Sequence, residues 1–335
     1  MKEARSKGIA VRVCIAALAL TMLMAAFVLT AQAKETSKKI KIGVMQIVEH
    51  PSLDAARKGF VDSLAEAGYV EGKNVIYDFQ NAQGDMSIAQ SIAQKFVNDK
   101  VDMILAIATP TAQAAAQATD KIPILITAVT DPKAAGLVKS IEKSGTNVTG
   151  TSDLNPVAQQ VELVLKFAPK AKRVGIIYNA GETNSLVQVD LAEKAAKALK
   201  LNLVKVTCSN SSGVYEAAQS LVGRVDAIYV PTDNTVVSAL ESVIKVAEQA
   251  KLPLIVGEGD SVKRGGLATV GINYYELGKQ TGRMALKVIK GANPADMPIE
   301  YLAGKAELTI NLKAAKSMGV KVPESLIKEA DHVIK

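Results

Sequence analysis

Lys39 to Gly68 reads KIKIGVMQIVEHPSLDAARKGFVDSLAEAG. An apolar run from Ile40 to Val48 is interrupted only by Lys41, Gly43 and Gln46. It is rich in β-branched residues, as expected of a parallel strand covered on both faces. Pro51 can neither extend a ladder nor sit inside a helix, so the chain turns there. Ala55, Phe60, Leu64 and Ala67 then recur at helical spacing, and Gly68 ends the pattern. The unit is strand, polar loop, helix. A loop after such a strand lies at the carboxyl edge of a sheet, where open α/β proteins hold their ligands.

The same unit repeats along the chain. Predicted strands follow at Asn74–Gln80, Val101–Ala108, Ile122–Val129 and Asn147–Thr151. A second series runs through Arg173–Tyr178, Leu201–Val206, Val225–Val230, Leu252–Val256 and Leu267–Gly271. Helical patterns lie between them, and Tyr274–Lys290 is the last long one. Strands alternating with helices imply parallel sheets. Two series of similar size imply an α/β protein of two doubly wound, Rossmann-like lobes with a cleft between them.

Upstream, Lys2, Arg5, Lys7 and Arg12 precede an apolar stretch from Val13 to Leu29, and Ala31-Gln32-Ala33 closes it. This reads as a cleaved signal peptide over residues 1–33, giving a periplasmic protein that begins at Lys34. Arg12, two residues before Cys14, argues against lipidation there. Beyond the leader the chain keeps a single cysteine, Cys208, so it has no internal disulfide. His50 and His332 are its only histidines, which excludes a His-rich metal site. The net charge is +7, three charges of which sit in the leader. No dense basic stripe appears and aromatics are few, so no nucleic-acid partner is expected.

Motifs for catalysis are absent. There is no G-x-G-x-x-G after a strand, no Walker sequence and no G-x-S-x-G elbow. Cys208 has no histidine near it in sequence and reads as a structural thiol. The chain is therefore expected to be no enzyme and to need no cofactor. What remains is polar loops at strand ends. Thr109-Pro110-Thr111 and Asn184-Ser185 offer hydroxyls and helix-start amides suited to a carboxylate. Thr130-Asp131-Pro132 repeats the pattern of a cap followed by proline, and Asn179 opens the loop after the sixth strand. Asp233 is the first choice for pairing with a ligand ammonium while also capping its own helix; Asp153 and Glu258 are second choices. His50 is expected to hydrogen-bond in the cleft.

Several motifs in order carry a resemblance: IGVMQIVEHPSLDAARKGF (42–60), GYVEGKNV (68–75), ILAIATPTAQAA (104–115), AVTDPKAAGLV (128–138), NVTGTSD (147–153), VGIIYNAGETNS (174–185), AIYVPTDNTVVSAL (227–240) and GGLATVGINYYELG (265–278). Over about Lys39 to Leu312 the chain resembles the ABC-transporter substrate-binding family that includes the tryptophan/tyrosine binding proteins. The resemblance implies a type I periplasmic binding protein with a three-crossover hinge. It implies an aromatic amino acid (tyrosine, phenylalanine or tryptophan) as the small-molecule ligand and an ABC permease as membrane partner. A nucleoside or sugar binder, or a ligand-sensing partner of a membrane receptor, would share the fold. The chain has no Trp, so a ligand ring would meet Tyr178, Tyr229 or Tyr274 instead. The expected lobes are 34–151 plus 272–303 and 152–271 plus 304–335, in a monomer. Crossovers are expected near 150–152, 271–273 and 303–306, with Gly150 and Gly271 absorbing the dihedral change of closure.

Overall fold

Each apolar run becomes a strand, and the loops after them gather along two sheet edges. The structure is a computed structural model describing residues 39–335. The first half contributes β1 (Ile40–Gln46), β2 (Val75–Asn81), β3 (Met103–Ile107), β4 (Ile124–Val129) and β5 (Val148–Ser152). They form a wholly parallel sheet in the order β11-β5-β4-β3-β1-β2, where β11 is Ile299–Tyr301. The second sheet has the order β13-β12-β10-β9-β8-β6-β7. Its strands are β6 (Arg173–Tyr178), β7 (Asn202–Thr207), β8 (Ala227–Val230), β9 (Leu254–Val256), β10 (Ala268–Gly271), β12 (Glu307–Asn311) and β13 (His332–Ile334). Only the pairing of β10 with β12 is antiparallel.

Strands β3, β4, β8 and β9 are buried along their whole length, because helices cover both faces. Two separate apolar cores result. One joins residues from Ile42 to Val148 with Tyr274 to Ile299, and the other joins Val157 to Ala268 with Ile310 to Leu326. The chain passes between the sheets three times: after β5, after β10, and between β11 and β12.

The helices that matter for the cleft begin at strand ends. They are α1 (Pro51–Glu66), α2 (Met86–Asn98), α3 (Thr109–Ala118), α4 (Val157–Phe167), α5 (Thr183–Ala198), α6 (Val214–Gln219), α7 (Asn234–Ser238), α8 (Leu240–Ala250), α9 (Gly259–Arg264) and α10 (Tyr274–Ile289). The buried stripe of α1 is Leu53, Ala56, Phe60 and Leu64; Ala67 is exposed beyond the helix end. Phe60 and Leu64 lie in that stripe as expected, Ala56 takes the place expected of Ala55, and Ala67 falls outside it. A break at Ala239 separates α7 from α8. Thr130-Asp131-Pro132 starts no helix. Asp131 instead accepts from the amides of Lys133 and Ala134 in a local turn.

Helices α1 and α10 touch backbone to backbone. A Cβ on Gly278 would lie 1.9 Å from the Ala56 carbonyl oxygen, and one on Gly59 would lie 2.0 Å from that of Tyr275. Gly150 has no hinge freedom. It sits inside β5, paired with Ile126 and Ile299 on its two sides, at φ 140. A Cβ there would meet the Ile126 carbonyl oxygen at 2.1 Å. Glycine is required by that close approach.

Candidate functional site

Where the strand ends of the two sheets face one another, a small enclosed cavity is lined from both. His50, Leu53, Ala128, Thr130, Asp153 and Tyr274 come from the first sheet and the crossovers beside it. Asn184, Thr232, Asn234, Val237 and Glu258 come from the loops and helices of the second. The lobes are closed around it. Ser52, at the start of α1, donates to Asp260 Oδ2 of α9 at 3.2 Å. Gln113 of α3 reaches Thr183 Oγ1 of α5 at 3.4 Å.

Two buried carboxylates face this cavity. Asp153 follows β5 directly. Its Oδ1 accepts from Thr130 Oγ1 at 3.0 Å and its Oδ2 from Tyr274 Oη at 2.6 Å. Burial nevertheless holds its carboxyl above the ordinary range, and the nearby charge of Glu258 adds to that. Glu258 follows β9 and accepts from Ser261 Oγ at 2.5 Å. Burial pushes its pKa up to about 7 despite that bond. No lysine or arginine lines the cavity. The nearby Arg264 is spent elsewhere, on both oxygens of Glu241 and on the Val237 carbonyl.

Two cavity liners carry unused polar atoms: His50 Nδ1 and Asn184 Oδ1 are buried without a protein partner. Burial holds the His50 imidazole at a pKa of about 4, so it is neutral at pH 7. An unmade hydrogen bond in such a place costs about 1–3 kcal/mol, and a ligand atom can recover it. Ala128 adds a strained backbone, with φ 56 at the mouth of β4.

Of the residues singled out from sequence, His50, Thr130, Asp153, Asn184 and Glu258 meet at the cavity. The others serve the scaffold. Thr111 Oγ1 donates to the carbonyls of Ile107 and Ala108 at 2.7 and 2.9 Å. Thr109 is the first residue of α3 rather than its cap, which is Ala108. Asn179 opens onto a wider groove outside the cavity, where Ile47, Met86 and Pro110 face it across the cleft. Its side chain bonds Thr235 and the Gly181 amide.

Asp233 caps α7 and faces inward. Its oxygens accept from the Val236 amide at 2.8 Å, the Asn179 amide at 2.6 Å and Ser185 Oγ at 2.6 Å. With its acceptor sites used and no surface on the cavity, it cannot be the first choice for a ligand ammonium. Burial and the neighbouring Glu182 push its pKa up to about 7. Asp233→Ala would strand two amides and a hydroxyl, so we expect it to lower unfolding stability by about 2–4 kcal/mol. Urea titration measures this; an unchanged midpoint would deny the cap its structural role.

Glu182 was not singled out from sequence, yet it ties the same loops together. It accepts from Asn184 Nδ2, from the amide and Nδ2 of Asn234, and from the amide and Oγ1 of Thr235. Leu53, Ala128, Thr232, Asn234 and Val237 were also missed. Thr232 and Asn234 flank Asp233 on either side, so the available signal was adjacency to a residue already singled out. Tyr229 is fully buried and donates to Gln160 Oε1 at 2.6 Å, so of the three tyrosines only Tyr274 lines the cavity.

The ABC transporter substrate binding protein family matches residues 41–334. A tyrosine-binding protein of Clostridioides difficile (strain R20291) is 50% identical over 289 residues, 86% of this chain and 84% of that protein. A domain from Streptococcus pneumonia solved in complex with L-Trp superposes with a TM-score of 0.85 at 40% identity, covering 89% of this chain and 100% of the other. The ligand-free, open structure of a substrate binding protein with adhesive properties from Clostridium difficile has 47% identity, with 88% and 99% covered, but a TM-score of only 0.66. Identity and superposition run in opposite order. This chain superposes better on the L-Trp complex than on the open protein. Its two sheets form the type I periplasmic binding protein fold, and the chain belongs to the ABC transporter substrate-binding protein family.

Proposed function

We propose that the protein captures an aromatic amino acid in the cavity between its lobes and delivers it to an ABC permease. The observation that carries this is the pair of buried carboxylates, Asp153 and Glu258, approaching one cavity from opposite sides with no cation beside them. An α-ammonium supplies the missing charge, and bonds to both sides hold the lobes shut. Leu53, Val237 and the Tyr274 ring offer apolar surface to a side chain. Asn184, at the start of α5, offers the helix-start amide and an amide side chain to a carboxylate. The tyrosine-binding relative and the L-Trp complex support the ligand class. The lobes that close follow the expected bounds, 34–151 plus 272–303 and 152–271 plus 304–335, except that Ser152 and Asp153 stay with the first, held by the pairing of β5 with β4 and by the Asp153 amide donating to the Val129 carbonyl; the protein acts as a monomer in the periplasm after removal of residues 1–33. Those first residues lie outside the described part; N-terminal sequencing that finds Lys34 first would support the export step, and an intact Met1 would refute it.

Calorimetric titration with tyrosine, tryptophan and phenylalanine tests the ligand class. At least one should bind, and failure of all three would refute it. The pH dependence has a defined sign. An ammonium beside Glu258 favours the ionised carboxylate, so binding expels the proton that burial holds there up to a pKa of about 7. Affinity is expected to rise with pH up to about 7 and then level off. Titration at pH 6 in two buffers of different ionisation enthalpy should show proton release, and an identical heat in both would contradict it.

A further inference from the structure

The cavity is built for a cation more than for a zwitterion. Asp153 and Glu258 bring two carboxylates to it, and its other polar liners, His50, Thr130, Thr232, Asn184 and Asn234, are neutral. The surrounding charged groups are engaged with other partners, and at His50 and Glu258 the positive charge of Arg264 is opposed by the negative charge of Asp260. Arg264 is paired with Glu241, Asp260 takes Lys263 and Ser52, and Glu182 is consumed by its loop. A ligand ammonium meets complementary charge from both lobes. A ligand carboxylate meets only neutral donors, within a space that already holds two negative charges. Its hydrogen bonds to those donors are offset by repulsion from Asp153 and Glu258.

We propose that the site selects its ligand by the amine, and that aromatic monoamines lacking the carboxylate are a second class of ligand for the same cleft. This rests on the aromatic amino-acid reading given above. Asp153 and Glu258 are the specificity-determining residues: each touches the amine, one from each lobe. Deaminated acids bearing the same ring are excluded, because they would add a third negative charge and leave both buried carboxylates without a partner.

The test is calorimetry at pH 8 with three compounds sharing one ring: tyrosine, tyramine and 3-(4-hydroxyphenyl)propanoate. Tyramine should bind within about tenfold of tyrosine, a difference of about 1.4 kcal/mol or less. The propanoate should bind more weakly than tyrosine by roughly thirtyfold or more. Glu258→Gln should weaken tyrosine and tyramine together by roughly thirtyfold or more. Its thermal unfolding, followed by circular dichroism, shows whether the variant is folded; the wild-type ligand series decides the matter without it. Tyramine failing where tyrosine binds would overturn the inference, as would a propanoate that binds like tyrosine. Folded Glu258→Gln with unchanged affinities would overturn it too. If tyrosine, tryptophan and phenylalanine all fail on the wild type, the ligand class itself falls and the inference falls with it.

Discussion

Asp153→Ala is expected to abolish measurable ligand capture. The carboxylate is buried, holds Thr130 and Tyr274 in place, and faces the cavity beside Glu258. Removing it leaves the ligand ammonium short of one partner in a closed site. Such a loss costs about 2–5 kcal/mol, or roughly thirtyfold to several thousandfold in affinity. The hydroxyls of Thr130 and Tyr274 also lose their acceptor, which loosens the start of α10. Asp153→Asn separates the two contributions. The amide keeps an acceptor oxygen and the side-chain shape but not the charge, so it should fold like the parent and still lose affinity by about thirtyfold. Calorimetry on both variants, with circular dichroism as the control for folding, reads the result. A folded Asp153→Asn that binds as tightly as the parent would show that the amine is held without this charge.

The second large effect concerns stability. In an ordinary exposed helix, glycine to alanine stabilises by about 1 kcal/mol. Gly278→Ala should do the reverse. Its new methyl would sit 1.9 Å from the Ala56 carbonyl oxygen and 2.7 Å from the carbonyl carbon, so α1 and α10 must move apart. Rigid backbone cannot swing aside as a side chain does, and a cost of about 3 kcal/mol or more is expected. The same shift moves Leu53 and Ser52 at the head of α1, so ligand affinity should fall as well. Urea unfolding gives the answer. A midpoint at or above the parent's would mean that the two backbones do not meet as described.

The fold class was legible because its signal is redundant. Ten strands announced themselves as apolar runs, and helical patterns lay between them. The strands that escaped notice are β11, β12 and β13, with sequences IEY, ELTIN and HVI. They are short, and they extend sheets whose inner strands already exist, so pairing with a neighbour rather than their own hydrophobicity makes them strands. The site was legible at the level of loops. Every cavity residue but Val237, the fourth of the five residues of α7, lies at or just beyond a strand end or in the first turn of a helix, but the choice within a loop depends on which way each side chain faces. Asp233 illustrates this: its carboxylate suits an ammonium by chemistry, and its position as a cap turns it inward. Glu182 shows the converse, since nothing in Gly181-Glu182-Thr183 distinguishes a solvated glutamate from one that collects five donors. His50 stands at the first turn of the chain and was found there because Pro51 marks the break.

The packing of α10 against α1 also bears on how the chain acquires its structure. The first core contains Tyr274, Leu277, Met284, Met297 and Ile299 beside residues from Ile42 to Val148. The intervening stretch, from Val157 to Gly271, belongs to the other lobe. A ribosome must therefore make the entire second series before the first lobe can cover the face of α1 and the edge of β5. Contacts of such long sequence separation form late and slowly. An emerging chain that stops short of Tyr274 leaves apolar surface bare on its first half while its second half is still growing. A truncated form lacking residues 274–301 would, by the same reasoning, expose an adhesive face rather than fold into a smaller protein.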